Sequence, residues 1–292
     1  TYHAAVGRPA VKKVEKVNEV HAVLAEEREK VIEYALAHVD LRHRELAWRM
    51  VDEDVAFLSG SSVYRILLEK DLVCRWERPE AREKREREKP AKPDERWQSD
   101  LRYVKISNRW YFLITFADEF SRYIVHHELL RSMDGDSVSL AAQAAIDLLP
   151  VGVCPDIQTD NGSGYVSGEF KLVLSARGLG HHRIHPHCPE ENGLIERIQR
   201  TLGEKLDEHE LEDFEQAKPV VAEIIRWYNE ERLHSAIGFI RPIDAYRGEP
   251  EKIYEARRVK LAAARQRRRE ENLRLRQASL LLEDFVSVGV GQ

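Results

Sequence analysis

Three carboxylates stand in contexts that set them apart from the other acids. Asp100 follows Trp97-Gln98-Ser99 within the first strand after a charged, proline-interrupted stretch. Asp160 begins the turn Asp160-Asn161-Gly162 at the end of a later strand. Glu196 lies in a helix that begins near Pro189-Glu190-Glu191-Asn192-Gly193. Strand ends and helix starts are where an α/β sheet gathers reactive side chains. With 51 acids in the chain, a single spacing between two of them means nothing and local context decides. Asp118, Glu119 and Glu169 lack that context and are expected to be structural or superficial. Oxygen donors without cysteine or histidine at matching positions suit a hard divalent cation, Mg²⁺ first and Mn²⁺ as substitute. The cluster His181, His182, His185, His187 and Cys188 has one cysteine and no second ligand pair to close a tetrahedral zinc site. It is read as a strand and loop leading to the Glu196 helix.

On that helix, residues three and four apart share a face. Asn192, Glu196, Gln199, Arg200 and Gly203 line one side, while Ile195, Ile198 and Leu202 line another. The elements that must position these groups follow from periodicity. Residues 103–107, 110–118 and 122–128 read as three strands in hairpin succession, with Asn108-Arg109 between the first two. Residues 137–149 read as a helix stopped by Pro150, 156–159 as a strand and 169–176 as a second helix. Beyond residue 204, Ala217, Val220, Val221, Ile224, Ile225 and Tyr228 recur at helical spacing and should pack on the sheet. The expected fold is α/β: a mixed five-stranded sheet with flanking helices, in an order that resembles the ribonuclease-H-like fold.

Ahead of this core, residues 26–39, 41–51 and a segment starting at the 59–62 cluster read as three helices. In the last, a serine can accept from the exposed amides of the first turn. Three short helices, the last opening Ser61-Ser62-Val63-Tyr64-Arg65, suit a helix-turn-helix module, and a small bundle without a ligand suits them equally. Residues 75–95 alternate Arg, Glu and Lys around Pro79, Pro90 and Pro93, as a linker does. From Arg257 to Arg276 nine basic residues stand against two acids, a local excess able to hold a phosphate backbone. The expected division is an arm at 1–25, an all-α domain at 26–74, a linker at 75–95, the α/β core at 96–248 and a basic helical region at 249–292.

Composition narrows the class. A net charge of −5, from 46 basic and 51 acidic residues, argues against coating nucleic acid by bulk charge, so local patches must decide. No apolar run approaches the roughly eighteen residues of a membrane span. Three cysteines, odd in number and far apart, suggest no disulfide framework, and a reducing cytoplasm is expected.

Several ordered motifs carry a family resemblance. Trp97-x-x-Asp100, Thr159-Asp160-Asn161-Gly162-x-x-Tyr165 and Pro189-x-x-Asn192-Gly193-x-x-Glu196-Arg197-x-x-Arg200-Thr201 are joined by Asp118-Glu119-Phe120-Ser121-Arg122, Tyr228-Asn229, His234-Ser235 and Pro242. Together these resemble bacterial insertion-sequence DDE transposases, which have a retroviral-integrase-type catalytic core. The resemblance spans roughly residues 96–248. The retroviral two-His, two-Cys zinc module has no counterpart, and the helix-turn-helix reading takes its place. The resemblance implies cleavage of double-stranded DNA at the ends of a mobile element and joining of its 3′-hydroxyls to target DNA. Asp100, Asp160 and Glu196 would be catalytic and would hold two Mg²⁺ per site, with Mn²⁺ as substitute. Ser61, Ser62 and Arg65 would read bases. Asn161, Asn192, Gln199 and Arg200 would meet DNA near the metals, and Arg267, Arg268 and Arg269 would hold its backbone. Two element ends need two active sites, so a homo-oligomer, at least a dimer, is expected on nucleoid DNA. The competing readings are a hydrolysis-only nuclease of the same fold and a DNA-binding regulator without catalysis.

Overall fold

The computed structural model describes residues 20–70, 72, 89–185 and 189–289, apart from the side chains of 189, 190 and 281–289. Most of the linker, the first nineteen residues, His187 and Cys188 lie outside the described residues. The chain forms two compact units, Arg78–Ile253 and a second made of Thr1–Glu77 with Tyr254–Gln292.

In the second unit, helices α1 (Ala25–Ala37), α2 (His43–Asp52) and α3 (Gly60–Glu69) enclose a core of Val31, Leu46, Met50, Val63 and Ile66. The serine cluster caps α3 as expected: Ser59 Oγ accepts from Ser62 N at 3.2 Å. The connection between α2 and α3, residues 53–59, is longer than the roughly three- to four-residue turn of the standard helix-turn-helix.

The larger unit begins with β1 (Arg96–Ile106), β2 (Arg109–Asp118) and β3 (Ile124–Leu130), an antiparallel meander. Helix α4 (Gly135–Asp147), strand β4 (Asp156–Thr159), helices α5 (Ser163–Val166) and α6 (Gly168–Ala176), and strand β5 (His181–Arg183) follow. The unit is completed by α7 (Gly193–Leu206), α8 (Phe214–Glu230) and α9 (Pro242–Tyr246). The sheet order is β3-β2-β1-β4-β5, with β4 parallel to both β1 and β5. This is the ribonuclease-H-like arrangement the sequence order implies.

Strand alternation sorts side chains to two cores. Trp97, Ile114, Phe116 and Ile157 face a layer built with Val138, Ala142 and Phe170 of α4 and α6, while Val104, Ile106, Leu113 and Ala117 pack with Ile195, Leu202, Ile224 and Tyr228 of α7 and α8. Strand β1 begins earlier than the aromatic pattern marks, because Arg96–Ser99 pair with β4, and Trp97–Ser99, which are buried, pair with β2 as well.

The basic tail departs from expectation. Helix α10 (Pro250–Gly289) runs, from Tyr254 onward, as part of the unit of α1–α3 and not as a separate region. Arg257 donates to both carboxylate oxygens of Asp52, at 2.8 and 2.7 Å, with its guanidinium 4.8 Å from the centre of the Trp48 ring. Arg268 donates to Glu27 Oε1 at 3.0 Å and to the Phe57 carbonyl at 3.1 Å. Glu27, only 4% exposed, also accepts from Leu24 N, and a carboxylate so far out of water requires a cation. Arg268, expected on a phosphate, is therefore turned inward, whereas Arg267 and Arg269 are exposed, Arg267 lying 3.6 Å from Glu27. No helix among the described residues is long and apolar enough to cross a membrane.

Candidate active site

Asp100 sits at the middle of β1 on the face that α7 covers, because it shares the parity of Gln98, Arg102, Val104 and Ile106. Its Oδ1 accepts from Leu101 N at 2.9 Å. Burial pushes its carboxyl up to about 7, opposed by the Leu101 amide and Arg102 and reinforced by the negative charges of Asp160 and Glu196. The structure thus brings the three acids into one electrostatic neighbourhood. Asp160 follows β4 directly, and its Oδ1 accepts from Gly162 N at 2.9 Å. A side chain at residue 162 would come within 3.0 Å of that same oxygen, which is why the turn takes glycine. Glu196 lies exposed in the first turn of α7. It shares a cleft along β1 with Asp100, Arg102, Lys105 and Arg200. Among the described residues, no three His, Cys, Asp or Glu side chains already enclose a metal position.

Helix α7 is fixed to the sheet by three glutamines. Gln98 Oε1 accepts from Ile195 N at 3.3 Å, and Gln158 Nε2 donates to the Glu191 carbonyl at 2.8 Å. Gln199 Nε2 donates to the Asp100 carbonyl at 3.1 Å and the Thr115 hydroxyl at 3.0 Å. Gln199 is buried, so its expected DNA contact gives way to a positioning role. Gln98 and Gln158 were missed from the sequence. Each precedes its aspartate by two residues, and strand alternation alone places glutamine and acid on the same face. Arg102 also escaped notice: it donates to the Gln199 carbonyl at 3.0 Å and lies against Gly203, where any Cβ would meet the guanidinium.

The other expected contacts are spread more widely. Arg200 is exposed in the cleft, and no ion pair joins it to Glu196 among the described residues. Asn161 Nδ2 donates to the Ile184 carbonyl at 3.0 Å, and Asn192 is buried with Oδ1 unpartnered among the described residues. Ser61, Ser62 and Arg65 open α3, where Arg65 is exposed and donates to the Ser61 carbonyl. Within the histidine cluster, the three that can be described each have a partner: His181 Nε2 lies 3.0 Å from Thr159 Oγ1, His182 3.4 Å from Asp156, and His185 2.9 Å from Glu191.

Residues 90–189 match a family described as Integrase core domain, and residues 177–242 match a second profile with the same description. The uncharacterized 39.2 kDa protein of insertion element IS476 from Xanthomonas euvesicatoria is 28% identical over 76% of this chain, and the match spans 66% of that protein's length. The uncharacterized 31.7 kDa protein of insertion element IS407 from Burkholderia multivorans is 27% identical over 66% of this chain and 71% of its own. The simian T-cell lymphotropic virus intasome in complex with PP2A regulatory subunit B56 gamma contains a chain 18% identical to this one, with a TM-score of 0.49, covering 75% of this chain and 74% of that one. Carboxylates on β1, after β4 and in α7, within residues matched as an integrase core, define the class. Residues 90–242 belong to the integrase core domain family, and the chain is similar to proteins of bacterial insertion elements.

Proposed function

We propose that the protein cleaves DNA at the ends of a mobile element and joins the exposed 3′-hydroxyls to target DNA, with Asp100, Asp160 and Glu196 as the catalytic set. The observation that carries this reading is the Asp100 carboxyl, pushed up to about 7 by burial and by the negative charges of Asp160 and Glu196 in spite of Arg102. Carboxylate oxygens alone fit Mg²⁺ or Mn²⁺, and such ions relieve the repulsion that raises Asp100. A pair of bound divalent ions supplies an activated attacking oxygen and a stabilised leaving one. Asp100 supplies a ligand from the rigid centre of the sheet, Asp160 one from the glycine turn, and Glu196, exposed and able to change rotamer, completes the set from the helix. Arg200 and Lys105 border the cleft with positive charge suited to the DNA backbone. The exposed start of α3, with Ser61, Ser62 and Arg65, reads the element end, and two copies of the chain serve two ends.

The test uses labelled DNA carrying the sequences that flank the coding region, with Mg²⁺. Joined products are expected from the wild type. Asp100→Asn, Asp160→Asn and Glu196→Gln should each abolish cleavage and joining, by about a thousandfold or more, while retaining DNA binding. Cut but unjoined products would support a nuclease, and binding without products would support a regulator.

A further inference from the structure

Two motifs take no part in the acid cleft, Asp118 to Arg122 and Tyr228 to His234, and the fold brings them together. Asn229 clasps β3 at Ile124, accepting from its amide at 2.9 Å and donating to its carbonyl at 3.0 Å. Asp118 accepts from Asp94 N and from both the amide and the hydroxyl of Ser121, shaping a turn that places Arg122 at φ 67°. The guanidiniums of Arg122 and Arg232 both bear electrostatically on the Tyr228 hydroxyl and on the His234 ring, and Arg197 of α7 bears on His234 as well.

What these groups share is unused donor capacity. Tyr228 is 1% exposed, yet its hydroxyl has no partner among the described residues, nor does the buried Nε of Arg122 or of Arg232. His234 Nδ1 accepts from Ala236 N at 3.3 Å, which leaves Nε2 to carry the ring proton. Burial, assisted by the three arginines, lowers His234 to about 4, so the ring is a neutral donor at pH 7. Burial likewise keeps the Tyr228 hydroxyl protonated. The acids that face Arg122 are already engaged: Glu119 by Arg96 at 3.4 Å and Gln98 at 3.1 Å, and Asp118 by its three hydrogen bonds. A buried polar hydroxyl without a partner is costly in a folded protein. Arg122 and Arg232 flank that hydroxyl, the Arg232 guanidinium 5.9 Å from the centre of the Tyr228 ring, and Arg197 acts on the His234 ring, 6.4 Å from that of Tyr228. The cluster makes a site that lacks one component, a multivalent oxyanion.

We propose that Arg122, Arg197, Arg232, Tyr228 and His234 form a receptor for one phosphate of the DNA backbone, distinct from the phosphate that reacts. Arg197 follows Glu196 directly in α7 and is exposed. Arg197 points about 100° round the helix from Glu196, so a strand whose reacting phosphate lies at Glu196 would present a phosphate further along its backbone to Arg197 and the groups behind it. This inference deepens the DNA-joining reading and rests on it.

The test uses the full-length chain, without metal, and duplexes from the flanking DNA in which one phosphate at a time is replaced by an uncharged methylphosphonate. Wild-type affinity should fall about tenfold at one linkage beyond the general loss of a single charge. Arg232→Gln should bind the unmodified duplex about tenfold more weakly and show no extra penalty at that linkage. Tyr228→Phe removes only an unpartnered hydroxyl, so its melting temperature should equal or exceed the wild-type value while it loses part of the same linkage effect. Inorganic phosphate at fixed ionic strength should raise the wild-type melting temperature more than that of either variant. Equal penalties in all three proteins at every linkage would overturn the receptor. If joining with Mg²⁺ persists in that case, only the receptor falls. If joining is absent while the linkage effect remains, the joining reading falls and the receptor stands.

Discussion

At the scale of the residue, Asp100 couples charge to stability. Its carboxyl titrates near 7 in the folded chain and near 3.9 when unfolded. Below pH 4 both states hold the proton and no penalty exists. As pH rises from 4 to 7 the unfolded state releases its proton first, so the metal-free fold loses stability, by at most about 4 kcal/mol for this group. Asp100→Asn should therefore gain on the wild type between pH 4 and 8 in urea unfolding, and Mn²⁺ should stabilise the wild type alone at pH 8. Parallel curves for the two proteins would remove Asp100 from the ion site. The three acids were legible because each stands in a local motif, Asp100 within a strand, Asp160 at a strand end and Glu196 at a helix start. The raised carboxyl was not, since it depends on how deeply α7 covers β1, and a sequence carries no measure of depth.

At the scale of the element, α7 is as much a fastened part of the sheet as a carrier of Glu196. Gln199→Leu leaves the Asp100 carbonyl and the Thr115 hydroxyl without their shared donor, so a loss of about 1–3 kcal/mol is expected in chemical unfolding. Because the same bond holds Asp100 against the helix of Glu196, the joining rate should fall further than DNA affinity does, which single-turnover assays against binding curves would read. A loss of stability with unchanged rate would restrict Gln199 to packing. Helical spacing placed Gln199 correctly beside Glu196 and assigned its amide to DNA. The error arose because a polar helix face looks alike whether it meets solvent or a buried Thr115. A similar ambiguity moved the start of β1: Trp97 to Ser99 carry no alternating apolar pattern because both strand edges there are paired and the segment is buried on both faces. Half-buried histidines give β3 a pH response of its own. Burial and neighbouring His126 lower His127 to about 4, so the unfolded chain protonates it first as pH falls below 6.5. Stability should decline from pH 6.5 toward 4 by up to about 3 kcal/mol, and His127→Gln should flatten that decline in thermal melts.

At the scale of the molecule, the run of basic residues on α10 divides into two populations. Arg257 and Arg268 are buried against Asp52 and Glu27, while Arg265, Arg267 and Arg269 are exposed. Arg268→Ala should destabilise the unit of α1–α3 by about 3–5 kcal/mol, since it strands Glu27 without its partner. Arg269→Ala should leave melting unchanged and reduce the slope of DNA affinity against salt by about one. A measured slope change for Arg268→Ala in protein that remains folded would return that residue to the DNA surface. The sequence offered no hint of this split. Glu27 and Arg268 are 241 positions apart, and a charge run has no local mark distinguishing side chains that find an acid from those that find water.

The Glu27–Arg268 pair also sets an order of events during synthesis. Glu27 leaves the ribosome 241 residues ahead of the arginine that neutralises it, which at ordinary elongation rates is a wait on the order of ten to fifty seconds. Throughout that interval the first three helices lack the stabilisation of that pair, while the whole five-stranded sheet is translated and free to fold. The nascent chain therefore has its whole α/β unit available for folding before the unit of α1–α3 is sealed. A ribosome that stops short of α10 releases the α/β unit entire and the helical one without its last wall.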